Sequence, residues 1–291
     1  MTTLERATGA TSRPLLIVSD VDGTLIDERG QLPCSPHELR AHLAALSTAR
    51  GAPVQVALAS SRTMRELTVL QRALGLYGPC IAEDGALLGI DVETMTPDDR
   101  FAITNTGRRR LAIEQFAADV SALEALMQDV PAFHRADVRQ LDVPEWRALG
   151  FRTPASVRRA LAARRNSILL DPEVLDVDAL QVLHDKAARH ALQLRRGGRW
   201  LTLTAAHGKG AALRALRHKL QQHGVPPLLA AIGNEENDIS LLAEADLRFV
   251  IRNPHRGPLG SLASLPGAIV LSPEGPGGWI DMLNRLHQVA A

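Results

Sequence analysis

The chain has 291 residues, 45% of them hydrophobic and 22% charged, enough apolar material for one large domain or two ordinary ones. Lys+Arg 33 against Asp+Glu 32 leaves a net charge of +1, and aromatics make up 3%, so nothing points to nucleic acid or an anionic membrane as partner. Two cysteines, Cys34 and Cys80, make neither a metal motif nor a disulfide framework, and no apolar run approaches the roughly 20 residues of a membrane span, which predicts a cytoplasmic setting.

In chain order, Met1 to Arg13 has no apolar stretch of signal-peptide type and reads as a short disordered leader. Leu15-Leu16-Ile17-Val18-Ser19 is apolar without alternation, as suits a parallel strand covered on both faces, and it runs into Asp20-Val21-Asp22-Gly23-Thr24. Ser35 to Arg50 spaces Leu39, Leu43 and Leu46 for a helix opened by Ser35-Pro36. Val54 to Ala59 reads as a second strand, followed by Ser60-Ser61-Arg62 and a helix from Thr63 to Leu74 that stops at Gly75. Cys80-Ile81-Ala82 is a third strand before Glu83-Asp84-Gly85. This alternation predicts an α/β fold built on a doubly wound parallel sheet.

Residues 87–204 read as an inserted α+β domain, with helices over Thr106–Leu126, Pro154–Arg165 and Asp176–His190 and strands at Ser167–Leu170 and Trp200–Leu203. The first rhythm then returns. His207-Gly208-Lys209-Gly210 opens a helix with Leu213, Leu216 and Leu220 on one face. Leu228–Ile232 is a strand ending in Gly233-Asn234-Glu235-Glu236-Asn237-Asp238, and apolar pieces at Leu247–Val250 and Ala268–Leu271 precede a last helix over Gly278–Val289. The core is therefore expected to comprise residues 14–86 and 205–291.

Four clusters each follow a strand or open a helix, where open α/β sheets face their ligand crevice. Together they hold carboxylates, a hydroxyl and a lysine, a set suited to phosphoryl transfer through a carboxylate. Asp20 is the candidate nucleophile, and Asp22, on the same side of the extended chain, is the candidate general acid. Ser60 is placed to hydrogen-bond a phosphoryl oxygen and Lys209 to add a compact cation. A carboxylate nearing a phosphate dianion requires further positive charge, and Mg2+ held by Asp20, Asp22, Asn234 and Asp238 meets that need. Taken singly, Asp-x-Asp-Gly is a turn, Ser60-Ser61 a helix cap, Lys209 a solvated helix start and Gly233-Asn234 a hairpin signal. Their common order and placement favour the chemical reading.

On these residues the chain resembles the haloacid dehalogenase superfamily of phosphohydrolases, in which four such motifs occur in this order. Asp20-Val21-Asp22-Gly23-Thr24 matches the first motif fully, Ser60 the second, Lys209 the third, and Gly233 to Asp238 the fourth. Asn234 stands where that family usually has a metal-binding aspartate, and Asp84 where it commonly has asparagine. The long insertion is similar to a C2-type cap.

Within the superfamily, the segments 74–76, 81–85, 196–201 and 274–279 look most like mannosyl-3-phosphoglycerate phosphatases. That resemblance implies Mg2+-dependent release of phosphate from a small phosphorylated substrate, a glycosyl-3-phosphoglycerate, with Ser61, Arg62, Arg165 and Arg199 holding it. Other sugar-phosphate phosphatases of sucrose- or trehalose-phosphate type, a phosphomutase, or a binding module without effective metal are the competing readings, and the sequence leaves the oligomeric state open.

Overall fold

The computed structural model describes residues 13–27, 29–93, 101–106, 109–141, 154–197, 200–205, 207–222, 224–252 and 260–290. The expected leader, apart from Arg13, lies outside the described residues. The strands are β1 (Leu15–Ser19), β2 (Val54–Ala59), β3 (Cys80–Ala82), β4 (Leu87–Asp91), β5 (Phe101–Thr106), β6 (Arg109–Gln115), β7 (Ser167–Leu170), β8 (Leu192–Gly197), β9 (Trp200–Ala205), β10 (Leu228–Gly233), β11 (Leu247–Val250) and β12 (Ala268–Val270). The α-helices are α1 (Pro36–Arg50), α2 (Met64–Leu74), α3 (Val120–Met127), α4 (Pro131–Ala136), α5 (Pro154–Ala162), α6 (Val177–Arg189), α7 (Gly208–Gln222), α8 (Ile239–Ala243), α9 (Gly260–Ala263) and α10 (Pro276–Ala290).

Nine strands form one sheet in the order β12-β11-β10-β1-β2-β3-β4-β6-β5. From β12 to β3 all neighbours are parallel, and β1 lies at the centre between β10 and β2. The unbroken apolar run of β1 follows from that position. Leu15 and Ile17 pack with Leu39, Leu43, Leu67 and Trp279 on one face, while Leu16 and Val18 pack with Leu213, Leu216, Leu241 and Leu242 on the other. Helices α1, α2 and α10 cover the first face and α7, α8 and α9 the second, so the sheet is doubly wound.

Capping boxes fix the starts of the first two helices. Ser35 and Glu38 close the first turn of α1, Thr63 and Glu66 that of α2, and left-handed glycines, Gly51 and Gly75, end both.

The expected boundary of the insertion at residue 87 does not match the sheet. Strands β4, β6 and β5 continue it in antiparallel pairing as far as Gln115, and the separate layer begins beyond that residue. The helix expected over Thr106–Leu126 is likewise a strand, Arg109–Gln115, followed by a short helix, Val120–Met127. Arg109-Arg110-Leu111-Ala112-Ile113-Glu114-Gln115 is rich in good helix formers, but Leu111 and Ala112 are both buried in the sheet and pairing with β4 and β5 overrides local propensity.

The second layer is an antiparallel sheet in the order β7-β9-β8, backed by α3, α4 and α6 around Leu123, Phe133, Ile168, Leu183 and Leu203. This is an α+β cap inserted into the α/β core. Among the described residues no helix is long and apolar enough to cross a membrane.

Candidate active site

Three of the four clusters emerge at the carboxyl ends of adjacent strands. Asp20 follows β1, Ser60 follows β2 and Asn234 follows β10, and the parallel register Ser19↔Leu58 and Ser19↔Ile232 brings the three exits level. Asp20 is fixed by its own amide, which donates to the Ile232 carbonyl at 3.0 Å. The buried indole of Trp279 donates to Ser19 Oγ at 2.9 Å, and Ser19 Oγ donates to the Asp20 carbonyl at 2.6 Å, so the last helix also braces the strand tip. Gly23, at φ 77°, turns the chain back, and Gly23 N–H donates to the Ile26 carbonyl at 2.7 Å.

Lys209 comes from the start of α7. Its ammonium donates to Asp20 Oδ1 at 2.6 Å and to Asp238 Oδ1 at 2.7 Å, and the lysine is wholly buried. Burial acts against the Lys209 charge, but the Asp20 and Asp238 carboxylates outweigh it and hold the ammonium well above its ordinary value. Burial, reinforced by the Asp238 charge, pushes the Asp20 carboxyl up, while Lys209 pulls the other way. One ammonium shared by two buried carboxylates leaves the site short of positive charge.

Asp238 is placed differently from the sequence expectation of a metal ligand. Its Oδ1 accepts Lys209, and its Oδ2 accepts the amides of Asn234 at 3.0 Å and Glu235 at 3.2 Å. With both oxygens engaged, Asp238 shapes the fourth loop and orients Lys209 rather than facing a cation.

Asp22 also departs from the expected metal-ligand role through its side chain. Its carboxylate takes a two-point contact from Arg62, Nε to Oδ2 at 3.0 Å and Nη2 to Oδ1 at 2.6 Å, and is half exposed. Arg62, expected to hold substrate, thus joins the second loop to the first. Ser60 is buried, with its amide donating to the Ile81 carbonyl at 2.9 Å and its Oγ accepting the Arg62 amide at 3.2 Å. Ser61 is half-buried beside it.

The oxygens best placed for a cation are Asp20 Oδ2, the Asp22 carbonyl and Asn234 Oδ1. Asn234 is buried, its Nδ2 donates to the Asp22 carbonyl at 3.3 Å, and its Oδ1 has no partner. Turning that amide over presents its oxygen beside the carbonyl. Among the described residues no group of three His, Cys, Asp or Glu forms a cage, so the donor set is carboxylate, carbonyl and amide, a hard oxygen set suited to an ion that retains waters.

Two cap arginines were expected to hold substrate. Arg165 is exposed on the turn before β7, and Arg199 lies outside the described residues. Sequence reasoning gave no role to Glu83. Glu83 is fully buried at φ 51°, and its carboxylate accepts the amides of Arg165 at 2.9 Å and Asn166 at 3.0 Å and the Ser167 hydroxyl at 2.5 Å. In the same turn the Glu83 amide donates to the Arg62 carbonyl at 2.9 Å and the Asp84 amide to the Ser60 carbonyl at 3.0 Å. One turn therefore pins the cap to the core and braces the second loop.

Replacing Glu83 with alanine is expected to cost about 3 kcal/mol or more, because two amides and a hydroxyl lose a buried charged acceptor. Hydrogen exchange checks it: faster exchange at Arg165 and Asn166 is the expected result, and unchanged protection there would show that the contact does not hold the cap.

Residues 17–119 match the family model described as haloacid dehalogenase-like hydrolase. Over 282 residues the chain is 23% identical to a glucosyl-3-phosphoglycerate/mannosyl-3-phosphoglycerate phosphatase of Persephonella marina, covering 94% of this chain and 97% of that one. Among solved structures it is similar to a phosphatase of the haloalkanoate enzyme superfamily from Bacteroides thetaiotaomicron, with TM-score 0.63, 14% identity and 97% of each chain covered. It is also similar to the sucrose-phosphatase of Synechocystis solved with sucrose and phosphate, with TM-score 0.52, 18% identity, and 94% of this chain and 98% of that one covered. The chain therefore has the haloacid dehalogenase-like fold along essentially its whole length.

Proposed function

We propose that this haloacid dehalogenase-like chain is a cytoplasmic Mg2+-dependent phosphoric monoester hydrolase acting on a phosphorylated sugar derivative, with a glycosyl-3-phosphoglycerate as the favoured substrate. The observation that carries the reading is the buried bridge in which Lys209 links Asp20 to Asp238 beside the unpaired Asn234 oxygen. A purely structural ion pair does not require an orphaned acceptor next to it. The names of the Persephonella and Synechocystis proteins support a sugar-phosphate substrate.

In this reading Asp20 forms the bond to phosphorus while the ester P–O bond breaks and its electron pair passes to the alcohol oxygen. Asp22, released from Arg62, gives that oxygen a proton. Arg62 and Ser60 then have donors for phosphoryl oxygens, and Ser61 and the exposed Arg165 would be left to hold the remainder of the substrate. A water next attacks the phosphorylated Asp20, transferring its proton to Asp22 and restoring both carboxyl groups. Lys209 holds Asp20 in one orientation throughout and balances part of its charge. Asp20, the Asp22 carbonyl and Asn234 would hold Mg2+, which when bound supplies the charge that lets a carboxylate approach a phosphoryl dianion. The cap covers the cleft and limits bulk water.

The test is phosphate release from a panel of sugar phosphates and glycosyl phosphoglycerates with and without Mg2+. Release that requires the ion supports the reading. An isomerised sugar phosphate in place of free phosphate would point to a mutase, and no turnover of any compound would leave a binding module. Restoring a carboxylate with Asn234→Asp is expected to tighten Mg2+ binding by about tenfold, since it adds a full negative charge beside Asp20. Calorimetric titration of the protein with Mg2+ reads this directly, and equal affinity in the two forms would remove Asn234 from the site.

A further inference from the structure

The chain crosses between core and cap twice, out after β6 and back between β9 and α7. On the way out, the Phe116 amide donates to the Ala86 carbonyl of the core at 2.9 Å. The next two carbonyls, of Ala117 and Ala118, both accept Asn166 Nδ2 of the cap at 2.9 Å. Phe116 is thus the last residue the core holds, and its side chain packs against the cluster on the second face of the large sheet.

On the way back, the cap holds the chain as far as Thr204 and Ala205, which pair with Gln193 and Leu192 of β8. The Thr204 hydroxyl also donates to the Asn166 carbonyl at 3.2 Å, so Asn166 touches both crossings. The core takes over at Gly208, which has φ 69° and lies so close to the turn after β3 that a Cβ on Gly85 would stand 2.2 Å from its carbonyl oxygen. His207 lies between these two grips, and Lys209 follows two residues later.

Each crossing therefore changes hands at a ring, and the two rings meet. Phe116 and His207 stack with centroids 4.7 Å apart and planes within 14° of parallel. His207 Nε2 is shielded from solvent and has no hydrogen-bond partner among the described residues. Charged groups face the ring from three elements: Arg214 on α7, Arg195 on β8 and Glu114 on β6. Glu114 is already paired with Lys219 at 3.2 Å, so its pull on a further cation is partly met. Burial and the two arginines push the His207 imidazole below its ordinary value against the pull of Glu114. A charged ring would gain from the Phe116 face, but its Nε2 must then carry a proton that finds no acceptor.

We propose that this stack is a pH-sensitive clasp: Phe116 and His207 fasten the two crossings to each other and hold the cap on the core while the imidazole is neutral, and protonation of His207 releases them. The sign follows from the ring's two environments. Parted from Phe116 and exposed to water, the imidazole regains its ordinary affinity for a proton, so the open form binds more protons than the clasped one. The clasp is at full strength above the ordinary histidine range and weakens as pH falls through it.

Amide exchange at Arg165 and Asn166 reads the clasp, because both amides are held by Glu83 of the core and Asn166 bridges the crossings. With exchange corrected for the intrinsic rate at each pH, the wild-type protein is expected to lose protection there about threefold or more between about pH 8 and about pH 5.5. His207→Phe keeps a stacked ring that cannot titrate and should stay protected across that range. His207→Ala removes the stack and should be about two- to tenfold less protected at about pH 8, the worth of a stacked aromatic pair.

Equal protection of His207→Ala and wild type at high pH, no acid loss in the wild type, or the same acid loss in His207→Phe would each overturn the proposal. If His207→Ala fails to fold, the pH course of His207→Phe against the wild type decides. None of these measurements involves turnover, so the clasp and the phosphatase reading stand or fall separately.

Discussion

Asp20→Asn is expected to lower phosphate release by roughly three orders of magnitude or more, the scale of losing a nucleophile, while the folded protein keeps its thermal midpoint. The reasoning is local. Asparagine fills the same space, and its Oδ1 still accepts the Lys209 ammonium that now lies 2.6 Å from Asp20. What disappears is one of two carboxylates crowded around a single buried cation, and burial together with Asp238 already disfavours the Asp20 charge. Stability therefore has little to lose from the change and chemistry has most to lose. Parallel assays of phosphate release and thermal unfolding decide it. Turnover within tenfold of the parent would exclude Asp20 as the attacking group.

The second large effect concerns Lys209→Met. Methionine fits the long, fully buried path of the lysine stem, but it leaves Asp20 and Asp238 facing each other without the ammonium that bridges them. Removing one partner from a buried charge cluster costs about 3–5 kcal/mol, measurable as a fall in the denaturant midpoint at neutral pH. Activity should be lost as well.

The sign of the pH dependence follows from Asp20. Its carboxyl is raised by burial even with Lys209 present, and without the lysine it rises further. The folded variant then binds a proton that the unfolded chain releases, so the deficit is greatest at high pH and shrinks as pH falls toward and below the ordinary carboxylate range. The double change Lys209→Met with Asp238→Asn removes a carboxylate along with its counter-ion. It should recover a large part of the stability and none of the activity. A double variant as unstable as the single one at neutral pH would show that packing, not charge, sets the loss.

These two expectations draw on different levels of the molecule. That Asp20, Ser60 and Asn234 stand at the ends of strands follows from short apolar runs that stop at polar, glycine-containing loops, and such runs carry their meaning locally. The spacing of Leu39, Leu43 and Leu46, and of Leu213 and Leu216, is equally local, and each pair of runs and helices reappears as a strand and its covering layer. The strand Arg109–Gln115 shows where local reading stops. Its helix-forming residues carry no period-two signal, with Leu111 and Ala112 adjacent and both buried, and only pairing with β4 and β5 on either side makes it a strand.

The sequence by itself determined the alternating α/β pattern, the chemical inventory of the site and the order in which its four loops arrive. Only the tertiary structure decided which partner each charged group takes: Lys209 between Asp20 and Asp238 across separations of 189 and 29 residues, Arg62 on Asp22 across 40, and Glu83 on the cap amides across 82 and 83. Local periodicity records which residues want burial, but a carboxylate accepts any donor the fold brings within about 3 Å. Which donor that is depends on how distant strands and loops close upon one another, and no single stretch of the chain contains that information.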